Sequence, residues 1–335
     1  MTQPINLGII GAGLAVKQLH WPALKRLRDR YTFSAVADID PEKADAITRL
    51  VGANKTFTDY RELLALPEVE AVLISLPIHL TAHIAIEAAR SGKHVILEKP
   101  LAANLEQARL TRDELARYPV KVLVAENMRY RDDLIAARRL IDEGAIGDLI
   151  LVRMQSLSHV DASDPESFAS TPWRQDIQYR GGALLDGGVH HAAAMRGIAG
   201  EVEWVQAFTK YGGHDQLTGP TTLSMNLRFR SGAIGAYLFS STCHNEDAGF
   251  LMLTIHGTAG TIEIRDTTSR LLRPGQPPET IVDNAEGGYY GEFLNFYAAI
   301  REDQPIVSTV EQGYRDMELI LRAIDSAEQA TVLLL

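Results

Sequence analysis

The sequence has little cysteine and no long apolar run. Cys243 is its single cysteine, so an intrachain disulfide or a zinc site built from several thiols is excluded, which favours a reducing compartment. No apolar run approaches the ~20 residues that a membrane helix requires. The first residues, MTQPINLGII, lack the basic n-region of a signal peptide and begin directly in a strand pattern. We therefore predict a cytoplasmic protein with no membrane partner.

Basic residues are scarce relative to acidic ones. Lys and Arg total 33 against 43 Asp and Glu, which gives a formal net charge of -10, and no local cluster of Lys and Arg offsets it. Nucleic-acid binding depends on basic groups that neutralise phosphates, so this composition predicts a small-molecule partner and no nucleic acid. The ten histidines show no spacing typical of a metal site, and we predict no metal.

The N-terminal part of the chain alternates between two kinds of segment. From Ile5 to about Ala125, amphipathic stretches separate short β-branched runs: INLGII, FSAVAD, EAVLIS, KHVILE and VKVLVA. This rhythm predicts parallel strands joined by helices, in a doubly wound Rossmann sheet whose ligands lie at the carboxyl ends of the strands. We assign residues 1–125 to an NAD(P)-binding Rossmann domain.

The pattern changes after residue 125. One helix precedes a long strand-like stretch over 149–158, and alternating segments follow between Glu201 and Val282: WVQAFTKY, TTLSMNLRF, AIGAYLFSS, FLMLTIHG and GTIEIR. Glycine-containing turns between these segments predict an antiparallel sheet, and two helices close the chain. Residues 126–335 are therefore predicted to form a C-terminal α+β domain for substrate binding and oligomerisation, with a large, mostly antiparallel open sheet.

A dinucleotide-binding fingerprint follows the first strand. INLGII leads into Gly11-Ala12-Gly13 and a helix, and Asp38 closes the second strand. Gly11 permits the tight turn, Gly13 lets the backbone approach a pyrophosphate at the helix N-terminus, and Asp38 accepts hydrogen bonds from the adenosine ribose. Val16 stands where a third Gly or Ala is usual, which predicts a slightly wider spacing between the first helix and the strand.

Asp38 also indicates which dinucleotide is bound. Its carboxylate would repel a 2′-phosphate, and no Lys or Arg occupies the next four positions, so NAD is favoured and NADP is less expected. The alternative is that Asp38 caps the helix that begins near Pro41, but Asp40 is better placed for that role.

Several further segments resemble the Gfo/Idh/MocA family of glucose-fructose oxidoreductase, inositol dehydrogenase and rhizopine catabolism proteins. They are GKHVILEKP at 92–100, Glu126-Asn127, Arg129, Trp173-Arg174, GALLDGGVH at 182–190, and the closing helix around Glu292 and Phe296. The resemblance extends over essentially the whole chain, and the Glu-Lys-Pro tripeptide together with the Asp-x-x-x-His segment makes it specific. It implies that Lys99 and His190 face the substrate beside the nicotinamide, with Asp186 next to them.

The local chemistry agrees with catalytic roles for Lys99, Asp186 and His190. An ammonium group at the carboxyl end of a parallel strand can stabilise negative charge on a reacting hydroxyl. Asp186 and His190 are spaced i, i+4 and therefore lie on one face of a helix, where a carboxylate can orient an imidazole that takes up a proton. His191 points roughly 100° away on an ideal helix and ranks second.

The predicted cofactor-binding residues lie at strand ends or in the segments that resemble the family. They are Gly11, Gly13, Leu14, Ala15, Asp38, Ser75, Leu76, Pro77, Glu98, Lys99, Asn127, Trp173 and Arg174. For Trp173 and Arg174, contact with a neighbouring subunit is the alternative.

One segment departs from the family pattern. The family commonly has Pro-Asn with a His three residues later, whereas this chain has Pro77-Ile78 and Thr81. This departure removes polar side chains expected at the rim of the cofactor cleft. His79 and His83 are candidate replacements, and each is also explained as a polar residue on the following helix.

Together these observations predict an NAD(P)-dependent dehydrogenase or reductase. It would transfer a hydride between nicotinamide and a secondary alcohol of a sugar, inositol or related polyol. Two alternatives remain open: a glycosidase of the same fold that uses bound NAD transiently, and a non-catalytic, dinucleotide-binding sugar sensor. Intact Lys99, Asp186 and His190 argue against the sensor. The uncovered face of the predicted C-terminal sheet further predicts a homodimer or homotetramer.

Overall fold

A computed structural model describes residues 3–244 and 251–335. These residues form two compact units. The first runs to Glu126 and also includes Tyr289–Tyr314, and the second consists of Asn127–Gly288 and Arg315–Leu335. The division therefore differs from a continuous second domain over 126–335, because residues 289–314 return to the first unit.

The first unit is built on a parallel six-stranded sheet in the order β3-β2-β1-β4-β5-β6. The strands are β1 (Ile5–Ile10), β2 (Tyr31–Ala37), β3 (Lys55–Phe57), β4 (Ala71–Ile74), β5 (His94–Glu98) and β6 (Val122–Ala125). The inner strands are apolar and almost fully buried, as expected of strands covered on both faces. The order reverses between β1 and β4, which is where such sheets bind ligands. The predicted doubly wound Rossmann sheet is confirmed.

Helices connect these strands. The first connection is a π-helical turn (Val16–His20) that continues into α1 (Trp21–Leu24) and a 3-10 turn (Lys25–Leu27); the others are α2 (Pro41–Val51), α3 (Tyr60–Leu64), α4 (Ile78–Arg90) and α5 (Leu105–Leu115). Val16 is fully buried at the start of the π-helical turn, a local widening found often at functional sites. Asp40 caps α2 by accepting hydrogen bonds from the backbone N–H groups of Glu42 and Lys43, as the sequence predicts.

Helix α9 (Tyr289–Arg301) belongs to the first unit because its aromatic face packs there. Tyr31 donates a hydrogen bond of 2.7 Å to the carbonyl oxygen of Phe293. The Tyr31 ring also packs edge-on against Phe293 and Tyr297, with centroids 6.0 and 6.1 Å apart. Sequence periodicity shows that α9 is a helix with a buried face but does not show which sheet that face covers, which explains the difference from the predicted division.

The second unit contains a nine-stranded sheet in the order β14-β13-β12-β11-β7-β10-β9-β8-β15. The strands are β7 (Leu149–Leu157), β8 (Val202–Tyr211), β9 (Pro220–Phe229), β10 (Ile234–Ser240), β11 (Met252–Gly257), β12 (Thr261–Arg265), β13 (Thr268–Leu272), β14 (Glu279–Val282) and β15 (Leu333–Leu334). Strands β7 and β10 pair in parallel, and the other pairs are antiparallel. The predicted large, mostly antiparallel open sheet is confirmed. Phe250, which the prediction placed at the start of one strand, lies outside the described residues.

Helices of the second unit pack on this sheet. They are α6 (Asp132–Asp142), α7 (Pro172–Gln175), α8 (Gly182–Ala199) and the larger part of α10 (Val310–Gln329). An added Cβ at Gly188 of α8 would lie 3.1 Å from Ile320 Cδ1 of α10, so glycine permits the close approach of these helices. Buried Asp316 of α10 forms ion pairs with Arg196 of α8 and, at 2.6 Å, with Arg129. Among the described residues, no helix is long and apolar enough to cross a membrane.

Candidate active site

The glycine turn after β1 has one residue that the fold itself requires to be glycine and one that it does not. Gly11 has φ +94°, and an added Cβ would lie 2.1 Å from the carbonyl oxygen of Ser75. Gly13 is exposed, and an added Cβ there would meet no atom within 4 Å. The chain alone therefore gives no steric reason for glycine at position 13, whereas a group bound against this backbone would. This arrangement fits a dinucleotide pyrophosphate.

Asp38 lies at the carboxyl end of β2 and is tied to the glycine turn. Its Oδ2 accepts a 2.7 Å hydrogen bond from the backbone N–H of Ala12, and its Oδ1 accepts one of 2.9 Å from Asp40. Each carboxylate oxygen can accept more than one hydrogen bond, so the half-buried Asp38 can also accept from ribose hydroxyls. The next residue, Ile39, is 90% exposed. Sequence reasoning missed this apolar surface, and its only sequence signal is its position beside Asp38.

The segment after β4 contains Ile78 and Thr81, the two residues that depart from the family pattern. Ser75, Leu76 and Pro77 are half-buried at the end of this strand. Ile78 and Thr81 are buried, and Thr81 Oγ1 donates to the carbonyl oxygen of Pro77 at 3.2 Å. The two replacements thus pack within the first turns of α4.

The two histidines proposed as substitutes at this rim differ in their surroundings. His83 is 67% exposed at its side chain and lies 3.0 Å from Glu87 one turn later, so it forms a surface pair on α4. His79 is half-buried, and its Nδ1 has no hydrogen-bond partner among the described residues. The structure gives His83 the simpler explanation, that of a polar helix residue.

Glu98 and Lys99 lie at the carboxyl end of β5. Glu98 Oε1 is 2.6 Å from His20 Nε2, and Glu98 Oε2 accepts a 3.1 Å hydrogen bond from the backbone N–H of Lys99. The predicted cofactor residue Glu98 therefore has both carboxylate oxygens engaged within the first unit, where they fix the segment that carries half-buried Lys99. Sequence reasoning missed His20, because 78 residues separate it from Glu98.

Helix α8 presents one accessible face on an otherwise buried helix. Over its first turns, Ala183, Asp186, Gly187 and His190 are half-buried, whereas the intervening positions are buried. Their spacing of i, i+3, i+4 and i+7 defines a single helical face. The structure therefore places the predicted pair Asp186 and His190 on the same face, as their spacing predicts.

The carboxylate of Asp186 has a cationic partner that the sequence did not predict. Arg174 Nε donates to Asp186 Oδ2 at 2.7 Å, and the Arg174 guanidinium lies 4.0 Å above the Trp173 ring. Burial and the nearby Asp186 carboxylate raise the pKa of Tyr179, whose ring packs 5.8 Å from that of Trp173. Trp173 and Arg174, predicted as cofactor residues, are thus partners of Asp186 and Tyr179 within the second unit.

Two other predicted positions also have internal partners. His191 is buried, with its Nδ1 2.6 Å from the hydroxyl of Tyr237, so it faces the core, as its rotation from His190 predicts. The Asn127 amide donates to the carbonyl oxygen of Gly287 at 2.6 Å and is buried. An added Cβ at Gly288 would lie 2.1 Å from the Asn127 carbonyl oxygen, which makes glycine necessary at that contact.

Within the first unit, the structure brings the predicted residues together at the carboxyl ends of neighbouring strands. Gly11 contacts Ser75, and Asp38 contacts the turn between Gly11 and Gly13. Leu14 and Ala15 follow at the start of the first helical segment, half-buried. This grouping is the one that a Rossmann dinucleotide site requires.

Comparisons with known proteins match both parts of the chain to one family of oxidoreductases. The family described as "Oxidoreductase family, NAD-binding Rossmann fold" matches residues 5–126, and the GFO/IDH/MocA C-terminal domain matches residues 134–263. A levoglucosan dehydrogenase from Pseudarthrobacter phenanthrenivorans is 31% identical over 78% of this chain and 73% of its own. Among solved structures, an oxidoreductase from Thermotoga maritima is 32% identical, with a TM-score of 0.91 over 99% of this chain and 98% of its own. A levoglucosan dehydrogenase solved with NADH and levoglucosan is 25% identical, with a TM-score of 0.87 over 99% of both chains.

Proposed function

The chain belongs to the Gfo/Idh/MocA family of oxidoreductases, and on that premise we propose that it transfers a hydride between NAD and a secondary alcohol of a sugar, inositol or related polyol. The observation that supports this most is the accessible face of α8, which presents Asp186 and His190 on an otherwise buried helix. A carboxylate, an imidazole and a neighbouring guanidinium grouped on one accessible face are typical of a catalytic site.

NAD, when bound, supplies the hydride acceptor. The residues that would hold it are those of the first unit. The backbone at Gly11 and Gly13 would bind the pyrophosphate at the start of the helix, and Asp38 would accept from the adenosine ribose. Exposed Ile39 would offer an apolar surface to the adenine ring. The other predicted cofactor contacts remain proposals: Leu14, Ala15, Ser75, Leu76, Pro77, Glu98, Lys99, Asn127, Trp173 and Arg174.

The chain's own residues would handle the substrate proton. As the C–H bond delivers its hydride, an imidazole nitrogen of His190 takes the hydroxyl proton, and the Lys99 ammonium stabilises the negative charge that develops on the oxygen. Asp186 orients His190, while Arg174 offsets part of the Asp186 charge. Glu98 holds the Lys99 backbone through its second carboxylate oxygen.

We further propose that NAD is preferred over NADP. A 2′-phosphate near Asp38 would meet a carboxylate already directed toward this end of β2 by the backbone N–H groups of Ala12 and Asp40. Moving that carboxylate away would break both hydrogen bonds. The preference therefore follows from like-charge repulsion at a fixed group.

A substrate panel tests the proposal. Levoglucosan, inositols, pentoses, hexoses and alkyl glycosides would be incubated with stoichiometric and with excess NAD, and NADH would be followed optically. Accumulation of NADH in proportion to sugar consumed supports a dehydrogenase. Consumption of a glycoside without net NADH supports the glycosidase, and saturable NAD binding with turnover of no compound supports the sensor; either result overturns the proposal.

A further inference from the structure

A layer of titratable side chains surrounds Glu98, the residue before Lys99, in the first unit. His20 is fully buried, with its Nε2 2.6 Å from Glu98 Oε1. Its ring packs edge-on against two residues of α9, Tyr289 at 6.0 Å and Phe293 at 5.7 Å between centroids. Glu292 lies with these aromatic residues on the buried face of α9, because positions 289, 292, 293 and 296 have the spacing i, i+3, i+4 and i+7.

His20 and Glu292 carry buried polar atoms that have no hydrogen-bond partner among the described residues. They are Nδ1 of His20 and both carboxylate oxygens of Glu292, which is fully buried. An ionised carboxylate buried without a donor is strongly unfavourable, whereas a protonated carboxyl carries an O–H donor. An imidazole that donates from Nε2 to Glu98 has an acceptor at Nδ1. The two groups are complementary as donor and acceptor, although no hydrogen bond joins them in this structure.

The charges that face Glu292 also favour its neutral form. Burial raises the pKa of Glu292 well above its usual value, and the carboxylates of Glu98 and Glu126 raise it further. The other titratable groups of this layer are His20, Tyr31 and Tyr289. Burial raises the pKa of both phenols, and the Glu98 carboxylate raises the pKa of Tyr289 further. A metal does not account for the cluster, because no group of three or more His, Cys, Asp or Glu among residues 3–244 and 251–335 is arranged to hold one.

We propose that Glu292 is a positioning residue for Lys99. The neutral carboxyl group of Glu292 would donate a hydrogen bond to Nδ1 of His20. This hydrogen bond would fix the imidazole with its Nε2–H directed at Glu98. Glu98 in turn holds the backbone N–H of Lys99 through its second oxygen. The inference rests on the proposed function only in the role given to Lys99, and the protonation of Glu292 can be measured without substrate.

The first test compares the pH dependence of stability of the native protein and Glu292→Gln. Above the ordinary glutamate pKa the unfolded chain releases a proton that the folded chain retains, so native stability falls as pH rises toward the raised folded pKa. Glutamine lacks this proton, so the unfolding equilibrium constant of the native protein should increase relative to the variant by up to about tenfold per pH unit. A ratio that does not change with pH means that Glu292 is ionised when folded and overturns the proposal.

The second test separates positioning from packing. Gln can donate from its amide to Nδ1 of His20, whereas Leu fills similar space without a donor. Glu292→Gln should retain kcat within about threefold, and Glu292→Leu should lower kcat by about tenfold or more with NAD affinity changed less than about threefold. Equal kcat in the two folded variants contradicts the positioning role. If Glu292→Leu does not fold, the pH test still decides. If no substrate is turned over, the function fails but the pH result stands.

Discussion

The two units place their functional groups in different ways. In the first unit, the candidate site is made of backbone and strand ends: a glycine turn, a carboxylate tied to that turn, and a lysine held by Glu98. In the second unit, the candidate site is one face of helix α8, where Arg174 forms an ion pair with Asp186. On the proposed function, cofactor binding would depend on the path of the chain, whereas proton transfer would depend on a few side chains.

The largest expected effect comes from removing the side chains that we propose to handle the substrate proton. Lys99→Ala and His190→Ala should each lower kcat by about 10² or more, because each removes a group that we propose to act on the reacting hydroxyl. NAD affinity should change by less than about tenfold, since Gly11, Gly13 and Asp38 are intact. Steady-state kinetics and calorimetric NAD titration measure the two quantities. A His190→Ala enzyme with native kcat would remove histidine from the proton-transfer step.

The second effect probes the chain path with a matched pair of substitutions. Gly11→Ala puts a Cβ 2.1 Å from the Ser75 carbonyl oxygen in a residue with φ +94°. The resulting strain should lower the free energy of unfolding by about 1–3 kcal/mol or more. Because the glycine turn would be distorted, NAD binding should be abolished. Gly13→Ala meets no atom of the chain within 4 Å, so stability should stay within about 0.5 kcal/mol of native.

NAD affinity nevertheless should fall about tenfold or more in Gly13→Ala, because the added methyl group lies where the backbone would approach the pyrophosphate. Thermal unfolding with and without NAD distinguishes the two variants. Native NAD affinity in Gly13→Ala would show that this backbone does not contact the cofactor.

These two glycines also show what the sequence can reveal. Gly11, Asp38 and the strands around them were predicted because a glycine turn, a strand and an acid at its end are local patterns. The partners of Glu98 and Asp186 were not, because His20 is 78 residues from Glu98 and Arg174 is 12 residues from Asp186. These contacts depend on how separate elements pack against one another. The packing of α9 in the first unit depends on the same thing. The periodicity of the sequence predicts neither the side-chain partners nor the placement of α9.

A third, smaller effect concerns the choice of cofactor. Native protein should bind NAD at least about tenfold more tightly than NADP, and Asp38→Ala should narrow this ratio by removing the charge that repels a 2′-phosphate. Because Asp38 also accepts from Ala12, the variant should lose some NAD affinity as well. Titration of both nucleotides into both proteins measures the ratio. Tighter binding of NADP by the native protein would contradict the assignment.

A fourth effect concerns the open face of the nine-stranded sheet. Phe208, 65% exposed, shares one face with Trp204 of β8 and, across β9, with Ile234 and Leu238 of β10. Exposed apolar sheet faces of this kind commonly form interfaces between subunits. We predict a dimer or tetramer at micromolar concentration, and Phe208→Lys should shift it toward the monomer, as measured by light scattering. A native protein that scatters only as a monomer would refute this.

The most direct test of the central claim follows the hydride itself. A sugar or polyol from the substrate panel would be deuterated at the carbon whose hydroxyl group is oxidised. It would be incubated with NAD and native protein, and the nucleotide would be analysed by mass spectrometry. The account predicts one deuterium in each NADH formed and an equal amount of oxidised sugar. Nucleotide recovered as unlabelled NAD from a reaction that consumes the sugar would contradict net hydride transfer to NAD as the function of this protein.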